Sequence, residues 1–308
     1  SGLVGSEMCI RDRQNAVFGV DADSRLFVQG SLAFTGNLNL YMGQLAAGGT
    51  LIAEDVFLPG KWEQVMARER ANGIYLIPSK LLMLPRVFKG VNANIRTIIS
   101  GSQSLGRKDA EVLKKIFPNT EITLYYGASE LNYITYVKSA DMTEERNLIG
   151  KPFPGVRVFI QDDEMYVDNA FHVENITVPY SLKDSGRMDA QGNFYFLGRT
   201  DDIVGVRGRK VSMMKIENAL EEVAGITEAA VVLLPKEKDA DMPAEIVSAF
   251  VTVEGTDVPE NLRQQLKEKL ADFEIPKRVI VLEAFPKNTS GKVDKARLKK
   301  MWIEQEPQ

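Results

Sequence analysis

Apolar runs alternate with amphipathic stretches along the first half of the chain, in the order that is typical of strand, helix and strand. Two such units follow one another, at 50–53, 61–72 and 73–77 and then at 95–100, 108–117 and 122–126. The amphipathic stretches repeat their apolar residues at helical spacing, and the short apolar runs match buried strands. Because helical crossovers join parallel strands, the pattern predicts an α/β domain built on a parallel sheet.

Short strand-like segments then follow at 156–160, 164–167 and 193–197. Turns rather than amphipathic stretches separate them, so they predict a small β-rich subdomain.

A third pattern begins after Gly198, with an amphipathic stretch at 213–223 and apolar strands at 229–234 and 245–253. This order predicts a compact α+β domain of its own, and we place the boundary near 199–202.

A further helix is predicted at the end of this domain. Asp257 and Glu260 have the spacing of a capping box, with Pro259 in the first turn, and the apolar stripe that follows ends at Pro276.

The predicted fold class is therefore α/β, comprising part of a large domain with a parallel sheet and a small β-rich subdomain, plus a smaller C-terminal α+β domain. The length of 308 residues supports this division, because one hydrophobic core seldom organises so long a chain. We expect a non-native tail at 1–13, the C-terminal part of the large domain at 14–200 and a small mobile domain at 201–308. The tail contains SEMCIRDR, which resembles translated sequencing-adapter sequence.

Composition excludes several classes of function. A net charge of −4 provides no basic surface for nucleic acid. The only histidine, His172, excludes zinc sites with several histidines, and no G-x-S-x-G motif accompanies it for a serine triad. The only cysteine, Cys9, favours a reducing compartment such as the cytoplasm. No apolar run approaches the length of a membrane span, so we expect a soluble, cytoplasmic protein.

Glycines directly follow two predicted strands of the parallel sheet. The segments are Gly101-Ser102-Gln103 and Gly127-Ala128-Ser129-Glu130. Ligands of open parallel sheets bind beyond the carboxyl ends of the strands, and glycine lets the backbone approach a ligand closely. The pattern favours a ligand site here, although glycine also ends strands for purely local reasons.

Two charged residues are candidates for chemistry. Glu130 could hold Mg²⁺ or cap a helix N-terminus. Lys292 lies in a polar turn that lacks the glycine spacing of a phosphate loop, and Asp294 after it has the position of a helix cap.

Three segments, taken in order, resemble motifs of the AMP-forming adenylating superfamily of acyl-CoA synthetases, peptide-synthetase adenylation domains and luciferases. They are YYGASEL at 125–131, SLKDSGRMDAQGNFYFLGRTDDIVGVRG at 181–208 and PKNTSGKVDKARL at 286–298. The resemblance implies a reaction in two steps. A carboxylate attacks the α-phosphate of ATP to give an acyl-adenylate and pyrophosphate, and a thiol then displaces AMP.

The resemblance also implies roles for residues of the large domain. Tyr126 would stack on adenine, Ser129 would lie near the α-phosphate, Glu130 would ligate Mg²⁺ and Asp184 would bind ribose. The nucleotide would be held further by backbone and side chains of Gly101, Ser102, Gln103, Gly127 and Ala128.

At the end of the predicted large domain, Arg199 matches the arginine beside the ribose, and Asp201, at the start of the small domain, matches the hinge. Lys292 matches the lysine that contacts the acyl carboxylate and the α-phosphate. Gly208, in a basic loop, suits coenzyme A or a phosphopantetheine acceptor.

The chain departs from the family pattern at several positions. Leu182-Lys183 replaces a Thr-Gly pair, Gly205 replaces a lysine and Leu32-Ala33 replaces an aromatic-His pair. The loop that wraps the β- and γ-phosphates has no counterpart before Phe34. We therefore expect the C-terminal portion of a longer enzyme, truncated and weak or inactive as it stands.

The acid and the acceptor remain open at this point. The acyl pocket would be lined by residues 34–39, Gly101 and Gly127, and fatty, aryl and amino acids all fit the motifs. A coenzyme A ligase is the first interpretation, and an adenylation domain that loads an acyl carrier protein is the nearer alternative. A module that binds nucleotide or acyl group without turnover is the alternative from another class.

Overall fold

The computed structural model describes residues 11–200, 203–206, 208–236, 245–255, 257–288 and 293–304. The chain divides into two compact units, Ser1–Phe196 and Leu197–Gln308. The predicted boundary near 199–202 lies a few residues further along the chain.

The first unit is built on one long sheet, whose last strand in sequence continues into the first residues of the second unit. Its strands are β1 (Arg25–Val28), β2 (Thr50–Ala53), β3 (Gly73–Tyr75), β4 (Thr97–Gly101), β5 (Glu121–Ala128), β6 (Asn132–Lys138), β7 (Leu148–Pro152), β8 (Val156–Gln161), β9 (Glu164–Asn169), β10 (Tyr180–Met188) and β11 (Phe194–Arg199). Its helices are α1 (11–18), α2 (Thr35–Ala46), α3 (Pro59–Arg68), α4 (Pro78–Leu81), α5 (Leu84–Val87) and α6 (Arg107–Ile116).

The strand order among the described residues is β2-β1-β3-β4-β5-β6-β7-β11-β10-β9-β8. Pairing is parallel from β2 to β5, and the β5–β6 and β6–β7 pairs are antiparallel. The predicted fold class is confirmed, with the parallel sheet at one end and the β-rich part at the other.

Both faces of the parallel sheet are buried. On β1, Phe27 packs against Trp62 of α3, whereas Leu26 and Val28 join Leu40 of α2 in a separate cluster on the other face. Successive side chains of a strand point to opposite faces, so this alternation places one helix layer on each side. The carboxyl ends of the strands are left at one edge of the sheet.

The second unit contains β12 (Ile203–Val206), β13 (Arg209–Ser212), α7 (Met213–Glu221), β14 (Ile226–Pro235), β15 (Glu245–Val253), α8 (Leu262–Lys267), β16 (Arg278–Val281) and α9 (Lys295–Glu304). β14 pairs antiparallel with β15, which pairs parallel with β16. Ile216 and Leu220 of α7 are fully buried against this sheet. The side-chain hydroxyl of Ser212 caps α7 by accepting a hydrogen bond from the Lys215 N–H at 3.3 Å.

One predicted helix start is wrong. α8 begins at Leu262 with Asn261 as its N-cap, four residues beyond the cap predicted at Asp257. The reason is a turn at 259–261, closed by the hydrogen bond from the Leu262 N–H to the Pro259 carbonyl at 3.0 Å. The prediction for α9 is confirmed, because the Asp294 carboxylate accepts from the Arg297 N–H at 2.9 Å.

Three elements near the start of the chain were not predicted, namely α1, β1 and α2. Helix α1 covers residues 11–18, so the tail predicted at 1–13 shares three residues with a helix whose Val17 and Phe18 are buried. Within the described residues, no helix combines the length and the apolar character that crossing a membrane requires.

Candidate functional site

The carboxyl end of β4 carries the first predicted segment. Gly101 lies opposite Tyr125 in the β4–β5 register, and a Cβ on Gly101 would lie 2.5 Å from the Tyr125 ring. Ser102 has a φ of +70°. The side-chain oxygen of Gln103 accepts from the Ser79 N–H at 2.9 Å and so ties this loop to the one after β3. Because Gly101 has no side chain, the Tyr125 ring packs directly against its backbone.

The second segment forms the turn from β5 to β6. The ladder shifts register between Tyr126 and Gly127, and a Cβ on Gly127 would lie 2.4 Å from the Asn132 carbonyl oxygen. Ala128 and Ser129 lead into the turn, with Ser129 exposed. This bulge is possible because glycine has no side chain.

Glu130 occupies the same turn and is half-buried. Its carbonyl oxygen accepts from the Val173 N–H at 2.9 Å. Because strand β6 follows it, the alternative that Glu130 caps a helix is wrong. Its carboxylate makes no hydrogen bond or ion pair with any residue that the structure describes.

Tyr126 and Asp184 are brought together from distant parts of the sequence. The Tyr126 hydroxyl donates a hydrogen bond to the Asp184 carboxylate, which is buried on β10. The Tyr126 ring also lies 5.9 Å from that of Phe196. Tyr126 thus stands beside both the Gly127 bulge and an acidic side chain.

Contacts within the first unit account for Leu182-Lys183, the pair that replaces Thr-Gly in the motif. Leu182 packs beside Leu131 and Ile134, and the Lys183 ammonium lies 3.2 Å from the Glu164 carboxylate. Lys183 also has a φ of +60°, a conformation that glycine adopts more readily.

Carboxylate oxygen is the ligand type that Mg²⁺ prefers, and this ion commonly uses one or two protein carboxylates together with substrate phosphates. The described residues contain no group of three or more metal-ligating side chains. Glu130, whose carboxylate has no partner among the described residues, has the ligand chemistry that a magnesium ion requires.

Several predicted site residues lie in the second unit or outside the described residues. Arg199 ends β11, and Gly208, with a φ of +80°, lies between β12 and β13. Arg209 beside it packs over the Phe273 ring at 4.7 Å. Asp201 and Lys292 lie outside the described residues.

Sequence reasoning missed a buried group of four side chains, Asn37, Tyr75, Tyr125 and Tyr133, which we term the tyrosine cluster. The Tyr75 hydroxyl donates to the Asn37 side-chain oxygen at 2.8 Å. Tyr125 must then donate to Tyr75 across their 2.9 Å contact, because a hydroxyl has only one proton. The Tyr133 hydroxyl donates to the Gly36 carbonyl at 3.3 Å. The sequence contained a signal for this cluster in Tyr125-Tyr126. Consecutive residues of a strand face opposite sides of the sheet, so if Tyr126 faces the site, Tyr125 must face the other side.

Burial governs the acidity of this cluster. It raises the pKa of Tyr125 to about 12, and it raises the pKa of Tyr75 and Tyr133 well above the ordinary tyrosine value. All three hydroxyls therefore remain protonated donors at neutral pH.

The fold defines a class of protein: an α/β domain built on a parallel sheet, followed by a smaller α+β unit. The sequence pattern of the AMP-binding enzyme family matches residues 5–170, and that of the AMP-binding enzyme C-terminal domain matches residues 215–292. The chain belongs to the AMP-binding enzyme family, which confirms the resemblance drawn from the three motifs.

Curated relatives include the uncharacterized acyl-CoA ligase YhfT of Bacillus subtilis (strain 168), which is 25% identical over 94% of this chain and 63% of its own length. The probable non-canonical nonribosomal peptide synthetase CymA of Salinispora arenicola (strain CNS-205) is 25% identical over 91% of this chain and 4% of its own length. The chain thus spans less than two thirds of the length of these relatives.

Solved structures share the fold. O-succinylbenzoate coenzyme A synthetase from Bacillus subtilis, in complex with ATP and magnesium ion, matches with a TM-score of 0.78 at 19% identity. The match covers 94% of this chain and 64% of that one.

Proposed function

We propose that the protein activates a carboxylic acid with ATP and transfers the acyl group to a thiol. In the first step an oxygen of the acid bonds to the α-phosphorus of ATP, and pyrophosphate leaves with the electron pair of the broken P–O bond. In the second step a thiolate bonds to the acyl carbon and AMP leaves. The hydrogen-bonded pair of Tyr126 and Asp184, in a chain of the AMP-binding enzyme family, carries this proposal.

The nucleotide site uses the Tyr126–Asp184 pair. Tyr126 offers its ring face to the adenine, while its hydroxyl, bound to Asp184, fixes the orientation of the ring. Asp184 in turn supplies a carboxylate that accepts hydrogen bonds from ribose hydroxyls. Arg199 is proposed to assist at the ribose.

The phosphates are proposed to lie at the β5–β6 turn. Ser129 is exposed there and donates to the α-phosphate, and the Glu130 carboxylate holds Mg²⁺. When bound, the ion offsets negative charge that builds up on the phosphates.

The second unit supplies the remaining roles. Lys292 is proposed to stabilise the negative charge of the acid and the α-phosphate during adenylation. Asp201 is proposed as the hinge between the two half-reactions, and Gly208 as part of the acceptor surface.

Coenzyme A is the acceptor we favour, because YhfT is described as an acyl-CoA ligase. The similarity to a nonribosomal peptide synthetase supports the alternative of a carrier protein. A coenzyme A ligase should release pyrophosphate and then form a thioester with free coenzyme A but not with a phosphopantetheinyl carrier. An adenylation domain that loads a carrier should show the reverse preference in the second step.

Calorimetric titration with AMP tests the nucleotide site directly. Asp184→Asn should weaken AMP binding about tenfold or more, because a hydrogen bond to a charged group contributes about 1.5–3 kcal/mol. Asp168→Asn on the neighbouring strand β9 removes a partly exposed carboxylate and should leave AMP binding unchanged. Equal AMP affinity in both variants would contradict the proposed site.

A further inference from the structure

Lys80 occupies a half-buried position at the carboxyl edge of the parallel sheet. It lies on α4, in the connection that follows β3, and Leu81 beside it is fully buried in the core cluster that contains Trp62. Strands β2, β1 and β3 are parallel neighbours, so the connections that leave their carboxyl ends lie at the same edge. From α4, the Lys80 side chain reaches the connections that follow β1 and β2.

The Lys80 amine has only uncharged partners among the described residues. Its Nζ donates to the Gln29 carbonyl oxygen at 3.1 Å and also to the Gln29 side-chain oxygen. The Phe57 ring lies 5.8 Å from Nζ, near the outer limit at which a ring attracts a cation. Within the described part of the chain, no carboxylate lies at ion-pair distance from Nζ. This amine is therefore partly withdrawn from water without a counter-ion.

The two hydrogen bonds match the neutral form of the amine. An ammonium carries three N–H donors, whereas a neutral amine carries two and a lone pair. The two oxygens of Gln29 accept both N–H groups of the neutral form, so its lone pair is directed away from Gln29. Burial also lowers the pKa of Lys80 below the ordinary lysine value, because desolvation disfavours the charged form. Since the neutral amine is the nucleophile, this environment activates Lys80.

Lys80 lies next to a residue that contacts the segment predicted to hold the nucleotide. The N–H of Ser79 donates to the side-chain oxygen of Gln103 at 2.9 Å. Gln103 follows the carboxyl end of β4, which pairs with β3. The proposed activated acyl group and the Lys80 amine therefore belong to the same edge of the sheet.

We propose, on the basis of the proposed function, that Lys80 is a site of self-acylation, at which the acyl-adenylate made in the first step modifies the protein. The neutral amine nitrogen bonds to the acyl carbon, and AMP leaves with the electron pair of the broken C–O bond. The surplus proton on nitrogen passes to solvent, and an amide remains at Lys80. An amide nitrogen keeps a single N–H, so the two hydrogen bonds to Gln29 cannot both persist after acylation.

Synthetic acetyl-AMP tests the site, because it supplies the acyl group without any need for turnover. Peptide mass spectrometry after timed exposure of the full chain measures the acetylation of each lysine. Lys80 should react at least about tenfold faster than Lys61, an exposed lysine of α3, because only Lys80 is activated by its surroundings. Denaturation in urea should remove the difference, since it arises from the fold. Equal rates for Lys80 and Lys61 in the folded chain would overturn this inference.

Two variants and a nucleotide titration separate this inference from the proposed function. Lys80→Arg keeps the positive charge and should lose the fast-reacting site, whereas the matched control Lys61→Arg should retain it. Calorimetric titration of the same protein with AMP reports on the nucleotide site. Failure of AMP to bind would overturn the proposed function and, with it, the source of the acyl-adenylate. AMP binding together with fast acetylation that persists in Lys80→Arg would overturn this inference alone.

Discussion

Single residues at the β5–β6 turn carry most of the proposed phosphate chemistry. Glu130 is half-buried, its backbone is tied to Val173, and its carboxylate is unpaired within the described part of the chain. A side chain in such a position contributes little to folding, so its function can be tested separately from stability.

Glu130→Gln should change the free energy of unfolding by less than about 1 kcal/mol, as most surface substitutions do. It should weaken Mg²⁺-dependent binding of ATP while leaving AMP binding intact, because only the phosphates need the ion. Calorimetry with and without Mg²⁺ measures both ligands, and Glu111→Gln on the exposed side of α6 serves as the control. A large fall in melting temperature would point to a structural role instead.

Lys292→Ala should lower adenylate formation about 100-fold, the scale of losing one donor that stabilises developing charge. Thioester formation from supplied acyl-AMP should be affected much less. Pyrophosphate release and thioester formation measure the two steps. Lys287→Ala removes a nearby lysine that pairs with Glu228, and it should alter neither step. Equal loss in both half-reactions of Lys292→Ala would refute the assigned role.

At the level of elements, β5 combines a parallel neighbour, an antiparallel neighbour and a bulge. The register shift beside Gly127 leaves one extra residue, Ile134, on β6 between the partners of Tyr126 and Gly127. The Asn132 carbonyl lies so close to Gly127 that there is no room for a side chain at this position.

Gly127→Ala should destabilise the first unit by about 1–3 kcal/mol, because the added Cβ would meet the Asn132 carbonyl at 2.4 Å and the backbone must shift. Gly60→Ala in α3 meets no atom within 4 Å and should be neutral or slightly stabilising. Denaturant unfolding of both variants gives the comparison. A neutral Gly127→Ala would mean that the bulge is not tightly packed.

Periodic segments such as those of α3, α6 and α7 could be predicted from the sequence because their apolar faces are regular. β1 is only four residues long and its pattern resembles any short apolar run, so it escaped prediction. The Tyr126–Asp184 contact depends on pairing through several strands, which local pattern does not encode. Tyr125 was overlooked because its neighbours in space come from α2, β3 and β4.

For the molecule as a whole, the buried tyrosines make stability depend on alkaline pH. Burial raises the pKa of Tyr125 to about 12 and holds those of Tyr75 and Tyr133 well above the usual value of about 10. A raised tyrosine pKa favours the neutral form in the folded state. The stability this contributes is fully present below pH about 10 and is lost as the pH rises through the folded-state values.

The free energy of unfolding should therefore fall between about pH 10 and pH 12. Denaturant titrations across this range measure it, and near-ultraviolet tyrosinate absorbance reports ionisation of the cluster. Replacing Tyr75 and Tyr133 together by phenylalanine should flatten the fall, because fewer hydroxyls remain to ionise. Stability that stays constant up to pH 12 in the wild-type chain would contradict this expectation.

Tyr125 and Tyr126 are consecutive residues of β5, so their side chains lie on opposite faces of the sheet, Tyr125 in the buried cluster and Tyr126 beside Asp184. The proposed nucleotide lies on the Tyr126 side of this strand, and the α-phosphate that receives the acid is proposed to lie at the turn that ends it. Linkage then requires reciprocity: whatever factor AMP imposes on the affinity of the acid, the acid must impose on the affinity of AMP.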